Sequence, residues 1–254
     1  MFKVGLCSVT FRDLSTQEVV EIAKRAKIQG IEWGADIHVR PGELKKAESV
    51  ATLTKDAGLE VVSYGSYYRL GVQGQEISFE TILETAVQLS APAIRVWAGK
   101  IGSDQATEDN WTAVIEDAKR IGNLAAEQGI HINLEYHNKT LTDTVNSSIR
   151  LMREINHANV SLYWQPALFE TVEERVQSII EIKPWLTHVH VFHWELKFGD
   201  WIKHPFSKGV SDWEKYLRKL EKNNGSRYLM MEFVKDDSEE QLIEDVRILK
   251  SLID

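Results

Sequence analysis

The chain is 254 residues long, 43% hydrophobic and 27% charged, proportions that exclude a disordered or fibrous polypeptide and a small disulfide-stapled scaffold. Thirty basic side chains against 38 acidic ones leave a formal charge of −8, which would repel a phosphate backbone over most of the surface and excludes broad nucleic-acid binding. One cysteine, Cys7, rules out an intrachain disulfide and a multi-thiolate zinc site; with no apolar run near the ~20 residues of a membrane helix and no export-type leader, a cytoplasmic protein is expected.

Along the chain a short β-branched or aromatic run, a few loop residues and a longer amphipathic stretch recur eight times. The predicted order is strand 4–8, helix 16–27, strand 31–34, helix 43–57, strand 59–64, helix 79–89, strand 93–98 and helix 108–128. Strand 131–137, helix 142–154, strand 160–165, helix 172–182, strand 187–192, helix 212–222, strand 227–234 and helix 239–253 complete it. Ser15, Thr107 and Ser238 stand where helix N-caps are wanted, and Gly30, Gly58 and Gly129 mark the ends before the next strand.

Eight such units imply parallel strands joined by helical crossovers, and ~250 residues is the size of a closed (β/α)8 barrel. An open doubly wound sheet would instead have strands apolar on both sides. The strand patterns decide between them. In 131–137, Ile132, Leu134 and Tyr136 alternate with His131, Asn133, Glu135 and His137, and the same split recurs in 93–97, 161–165, 188–192 and 228–233. Side chains alternate faces along a strand, so the polar set meets in a common interior. The expected fold is α/β, a single (β/α)8 TIM barrel over residues 1–254, with Glu32, Arg95, Glu135, His137, Gln165, His188, His190 and Glu232 inward. The connection 192–211, longer than the others, is a candidate lid.

Barrel enzymes work at the carboxyl ends of the strands. The inward residues nearest those ends on predicted strands five to eight are Glu135, Gln165, His190 and Glu232. Three oxygen donors and one imidazole aimed at a common point form a ligand set for one divalent cation, which would offset carboxylates that are costly to bury alone. Any one of them read singly could be a paired or hydrogen-bonded core residue; four at matching depth favour the ligand reading. Around them, His137 is expected to meet a substrate oxygen, and Trp97 is either an apolar wall for a sugar ring or a core tryptophan. His188, deeper on the same face, is either a substrate contact or a satisfied core histidine. His38, Lys203 and His204 lie in loops from which they could reach a phosphate or terminal hydroxyl, or simply be solvated. Glu32 and Arg95 read as a structural ion pair and Cys7 as a small packing residue.

The segments L-E-Y-H-N at 134–138, L-Y-W-Q-P at 162–166, H-V-H-V-F-H-W at 188–194 and M-E-F-V at 231–234, with I-R-V-W-A-G at 94–99, carry a resemblance over essentially the whole chain. It resembles the xylose isomerase-like barrels, which include sugar phosphate isomerases and epimerases, tagatose-type ketose epimerases and hydroxypyruvate isomerases. The resemblance implies one divalent ion, Mn2+ favoured and Mg2+, Co2+ or Zn2+ as alternatives, held by Glu135, Gln165, His190 and Glu232. Gln165 stands where the family commonly has Asp, which removes one ligand charge. The resemblance further implies that Glu135 and Glu232 pass a proton to and from the carbon beside a chelated carbonyl, as in a sugar or sugar-phosphate isomerase or epimerase.

Three other functions fit the scaffold. A keto-inositol or sugar-acid dehydratase begins with the same proton abstraction and is told apart by loss of water. An endonuclease IV-type phosphodiesterase needs an extra histidine where this chain has Leu168, and the acidic charge also disfavours it. A non-catalytic binding barrel would bind no ion. The expected partner is a small sugar or sugar phosphate, with no nucleic acid and no membrane, and homodimer formation stays open.

Overall fold

The alternation of polar and apolar side chains along the strands is realised as a closed barrel in the computed structural model, which describes residues 1–197, 199–220 and 227–253. Its strands are β1 (Phe2–Cys7), β2 (Gly30–Gly34), β3 (Glu60–Arg69), β4 (Ala93–Trp97), β5 (His131–Glu135), β6 (Val160–Trp164) and β7 (Leu186–Val191). After β7 come β8 (Trp194–Lys197) and β9 (Asp200–Lys203), an antiparallel hairpin outside the barrel, and then β10 (Arg227–Met231), which closes the ring between β7 and β1. All eight barrel pairings are parallel.

The crossovers are α1 (Thr16–Arg25), α2 (Leu44–Asp56), α3 (Phe79–Gln88), α4 (Glu108–Glu127), α5 (Val145–Ile155), α6 (Val172–Ile182), α7 (Val210–Lys219) and α8 (Glu239–Ile253). The caps sit where the sequence placed them. The Ser15 hydroxyl accepts the Glu18 N–H while Glu18 accepts the Ser15 N–H; Thr107 and Asn110 repeat the exchange, and Ser238 accepts from Gln241. Each such cap contributes about 1 kcal/mol. The last residues of the helix expected at 212–222 lie outside the described residues.

Strand parity sorts the apolar side chains into two bodies. Ile31, Trp33, Ile94, Val96, Leu134, Leu162, Val189 and Leu229 point outward and join the helices in the main core. A smaller cluster of Cys7, Val9, Val62, Tyr163, Tyr228 and Met230 belongs to the interior. This packed interior, usual in such barrels, leaves the carboxyl-terminal mouth to the polar residues.

Three departures from the expected elements bear on the site. Strand β5 stops at Glu135 because the His137 N–H turns to the Thr142 carbonyl, and the Thr142 hydroxyl donates to the Glu135 carbonyl at 2.5 Å. Those contacts replace the first turn expected of the following helix, which starts at Val145 behind its Thr144 cap. Strand β3 runs on to Arg69. Gly65 within it faces the interior so closely that a Cβ there would lie 2.8 Å from Arg95 Nη2 and 2.9 Å from Glu32 Oε1, so the missing side chain is the space those two ionic groups occupy.

Candidate active site

Charge is arranged in tiers inside the barrel. Cys7, Glu32 and Ser63 are level across β1, β2 and β3, and Gly65 is level with Arg95 on β4. Glu32, nearly fully buried, accepts the Ser63 hydroxyl and the Arg95 Nε–H at 2.9 Å. Arg95 is therefore more than half of a structural pair, because its Nη1 also donates to Glu135 Oε2 at 2.5 Å. The register Arg95 with Asn133 puts Trp97 level with Glu135, and the Trp97 indole N–H donates to the same Oε2 at 2.5 Å. Burial alone would raise the pKa of either carboxyl. At Glu32 the charge of Arg95, then His190 and the Ser63 hydroxyl outweigh it and hold the value at about 2; Arg95, then His190, hold Glu135 well below the carboxylate range.

His190, fully buried, is where the expected quartet meets. Its Nδ1 lies 3.3 Å from Glu232 Oε2, 3.4 Å from Gln165 Oε1 and 3.7 Å from Glu135 Oε1. Neighbouring donors in an octahedral shell with ligand distances of ~2.0–2.6 Å are about 2.8–3.7 Å apart, so each of these three oxygens stands at a distance from which it could share a cation with His190 Nδ1. On the other side of the ring, Nε2 is 3.6 Å from Glu32 Oε1. Cys7 joins the group. Its sulfur is 3.9 Å from Glu32 Oε1, and Cys7, His190 and Glu232 each bring one donor atom within 4.8 Å of the others. Burial pushes the thiol up to about 12, so the sulfur is protonated near neutrality. At His190 burial works against the charged ring, but the carboxylates Glu232 and Glu135 outweigh it and raise its pKa above that of free histidine.

Two atoms stand out as lacking partners. Glu232 Oε2 and His190 Nε2 are buried with no hydrogen bond. By contrast, both donors to Glu135 Oε2 are in place, so the two glutamates are chemically unequal.

Above the quartet opens a cavity of about 650 Å³, into which Arg95, Trp97, Glu135, His137, Gln165 and Glu232 all project. His137 stacks at a tilt on Trp97, ring centres 4.9 Å apart, and its Nδ1 is 2.7 Å from the Asn138 carbonyl. A carbonyl only accepts, so Nδ1 carries a hydrogen and Nε2 is the ring nitrogen left for a substrate. The candidate lid contributes as the β8–β9 hairpin, whose Trp194 and Trp201, with Phe192, line the cavity.

Sequence reasoning missed Glu170, Arg12, Tyr67, Phe169 and Phe233, which also line it. Burial raises Glu170 despite the hydrogen bond it accepts from the Tyr136 hydroxyl at 2.6 Å. Its only sequence signal was its place just beyond the W-Q-P end of β6.

Four expected substrate contacts lie elsewhere. His188 is set below the cavity between Tyr163 and Tyr228, where Nδ1 accepts the Tyr228 N–H at 3.1 Å; burial lowers its pKa to about 4 and it is the satisfied core histidine. His38 is buried with Nδ1 2.9 Å from the Ser8 hydroxyl and Nε2 3.1 Å from the Leu14 carbonyl, both nitrogens used in holding the β1 and β2 loops together. Lys203 pairs with Asp237 at 2.7 Å, and His204 lies 2.9 Å from Glu195, so the hairpin's charges tie it to itself and to the loop after β10. For His38, Lys203 and His204 the cause is shared, since on a loop parity does not tell which way a side chain faces; His188 faces inward as its strand position requires, but lies too deep to reach the cavity.

Among the described residues no helix is long and apolar enough to cross a membrane. In sequence the chain is 28% identical over 200 residues to a 3-dehydroshikimate dehydratase of Bacillus anthracis, covering 74% of this chain and 70% of that one. In structure it is similar to the probable 3-DHS dehydratase involved in petrobactin synthesis in Bacillus anthracis, with a TM-score of 0.79, 21% identity and 98% of both chains covered. It is also similar to a D-allulose 3-epimerase from Methylomonas sp., with a TM-score of 0.73, 13% identity and coverage of 99% and 98%. At such identities the two structures speak for the fold alone. A family model for the xylose isomerase-like TIM barrel matches residues 20–252, and with the closed eight-stranded parallel barrel this establishes that the chain belongs to the xylose isomerase-like TIM barrel family.

Proposed function

We propose that this chain is a divalent-metal-dependent dehydratase of a small hydroxyketone, removing the proton beside the carbonyl and expelling a hydroxyl from the next carbon as water. The observation that carries this reading is the inequality of the two glutamates. Isomerisation or epimerisation by the pair, the reaction expected from the sequence, needs both to trade protons with carbon. Glu135 accepts hydrogen bonds from a guanidinium and an indole on one oxygen, which makes it a weak proton acceptor. Elimination needs one base for the carbon proton and one acid for the departing hydroxyl. Glu232, with no hydrogen bond at Oε2, suits the first task through whichever oxygen does not hold the ion, and His137, its Nδ1 held by the Asn138 carbonyl and its ring on the cavity wall, suits the second through Nε2. The proton from carbon passes to Glu232, the electron pair forms the new double bond, and the hydroxyl leaves with a proton from His137. The sequence similarity to a dehydratase supports the same reading.

The donor set fits a cation. Three buried carboxylates, Glu32, Glu135 and Glu232, face one guanidinium, Arg95, so negative charge is in excess whether His190 is neutral or protonated. Glu135, Gln165, His190 and Glu232 would hold the ion, and Arg95 with Trp97 would fix Glu135 as a ligand. A divalent cation bound there would polarise the carbonyl and stabilise the charge that develops on its oxygen. Chelator-treated protein is expected to gain about 2.7 kcal/mol of stability on adding Mn2+ at a hundred times its dissociation constant. Identical melting curves with and without Mn2+, Mg2+, Co2+ and Zn2+ would count against the cation.

The reaction itself is tested by incubating a panel of cyclic and open-chain hydroxyketones with enzyme and Mn2+ in deuterated buffer, then measuring product mass and deuterium content. Loss of one water is expected. Deuterium wash-in at a single carbon with no loss of water would overturn the dehydratase reading in favour of isomerisation or epimerisation.

A further inference from the structure

The cavity has two tiers of different chemistry. Its floor is ionic, with Arg95, Glu135, Gln165 and Glu232. Its upper wall is aromatic, built by Phe169 from the loop after β6, by Phe192 just after β7, by Trp194 and Trp201 from the lid hairpin, and by Phe233 after β10. The rings support one another edge to face or tilted: Phe169 with Trp201 at 5.5 Å, Trp194 with Phe233 at 4.8 Å and Phe192 with Trp194 at 5.5 Å between centres.

Phe169 stands at the mouth 76% exposed, the largest aromatic exposure among the described residues. An exposed ring next to another on a cavity wall is a surface for a ligand with an apolar face. The size agrees: about 650 Å³ is in the range that encloses drug-sized ligands, whereas a single polyhydroxylated ring is far smaller.

The charges of the lining argue about the ligand's sign. Among the described residues it carries the carboxylates Glu135, Asp143, Glu170, Glu174 and Glu232 but, as permanent cations, only Arg12 and Arg95. Arg95 is engaged by Glu32 and Glu135. Arg12 is engaged by Asp36 at 2.9 Å, by the Tyr67 hydroxyl and by the Val9 carbonyl. The wall around the aromatic tier thus offers an incoming phosphate or carboxylate three acids and no unpaired guanidinium.

We propose that the aromatic tier binds a second, uncharged ring of the substrate. The reacting molecule is then a hydroxyketone sugar or cyclitol that carries, through a glycosidic oxygen, a ring with an apolar face, rather than a phosphorylated or carboxylated monocycle. The proposal rests on the floor being the reacting end, as proposed above, but its test needs no turnover.

The whole chain with Mn2+ is titrated by calorimetry with methyl β-D-glucopyranoside, phenyl β-D-glucopyranoside, cellobiose and glucose 6-phosphate. At least one two-ring ligand is expected to bind about tenfold more tightly than the methyl glycoside, the gain of one good ring contact, and glucose 6-phosphate no more tightly than the methyl glycoside. Preference for the phenyl glycoside identifies an aryl substituent; preference for cellobiose identifies a second sugar. The preference should vanish in a Phe169→Ala/Trp201→Ala variant with an unchanged circular dichroism spectrum, and shrink in the single Phe169→Ala variant should the double one fail to fold. The ratio should survive Glu232→Gln, because that residue belongs to the floor, which one-ring and two-ring ligands meet alike. Equal affinities, no detectable two-ring binding, a preference that outlasts the aromatic substitutions, or tightest binding of the phosphate would each overturn the proposal. A failure of the dehydration test leaves this ratio untouched.

Discussion

Replacing Glu232 by Gln is expected to lower turnover by ~10²- to 10⁴-fold, the usual contribution of a positioned base, while the fold survives. The two halves of that expectation have separate grounds. Glu232 Oε2 is buried without a hydrogen bond, so an amide of the same shape breaks none there and gives up only the charge that faces His190. The carboxylate's proton-accepting oxygen is lost at the same position, and with it one charged donor 3.3 Å from His190 Nδ1. Glu135→Gln provides the contrast. It removes the charge from the group that accepts the Arg95 and Trp97 hydrogen bonds and leaves the buried guanidinium one counter-charge short, so it should lower both activity and thermal midpoint. Initial rates and melting curves on both variants check this. Wild-type rates in Glu232→Gln, or equal loss of stability in the two, would remove Glu232 from the role of base.

The barrel and its convergent quartet were legible because strand geometry converts sequence position into direction. Once 131–137 reads as a half-polar strand, Glu135 can point only inward or outward, and the apolar neighbours Leu134 and Tyr136 claim the outside; Arg95, Gln165, His190 and Glu232 follow likewise. What parity cannot convey is the distance across the barrel. Glu32 and Arg95 were legible as a pair, but not the second arm of Arg95 to Glu135, which depends on the space left at Gly65. Nor could it show that the His188 ring packs between Tyr163 and Tyr228, below the cavity. On loops even direction is lost. His38, Lys203 and His204 carry chemistry that suits a substrate, yet each is spent on neighbouring structure. The connection 192–211 is read from the sequence only as a long loop and candidate lid, although Trp194, Leu196 and Trp201 recur as strand residues would; with only four residues on each arm, the pattern is too short to separate from a loop.

Arg95 should be the residue whose loss costs the most stability. Replacing it with Met, of similar length, leaves Glu32 and Glu135 facing each other in the interior without their counter-charge. Removing one partner from a buried ionic group typically costs ~3–5 kcal/mol. The pH dependence identifies the cause. In the wild-type chain Glu32 is held at about 2 against the ordinary 4.5, and Glu135 is lowered too. Their ionised forms therefore stabilise the fold fully above pH 4.5, and that contribution is lost as the pH falls toward 2. In Arg95→Met burial acts unopposed by the guanidinium, the carboxyls' pKa values rise above those of the unfolded chain, and the variant regains stability as they take up protons. The deficit relative to wild type should thus be largest near neutral pH and shrink toward pH 4 in denaturant titrations with chelator present. Adding Glu32→Gln and Glu135→Gln to Arg95→Met should recover part of the loss at neutral pH, since the unpaired charges, not the missing side-chain volume, are its source. A deficit that is the same at both pH values, and untouched by the added substitutions, would instead assign the loss to packing around Gly65 and Tyr67.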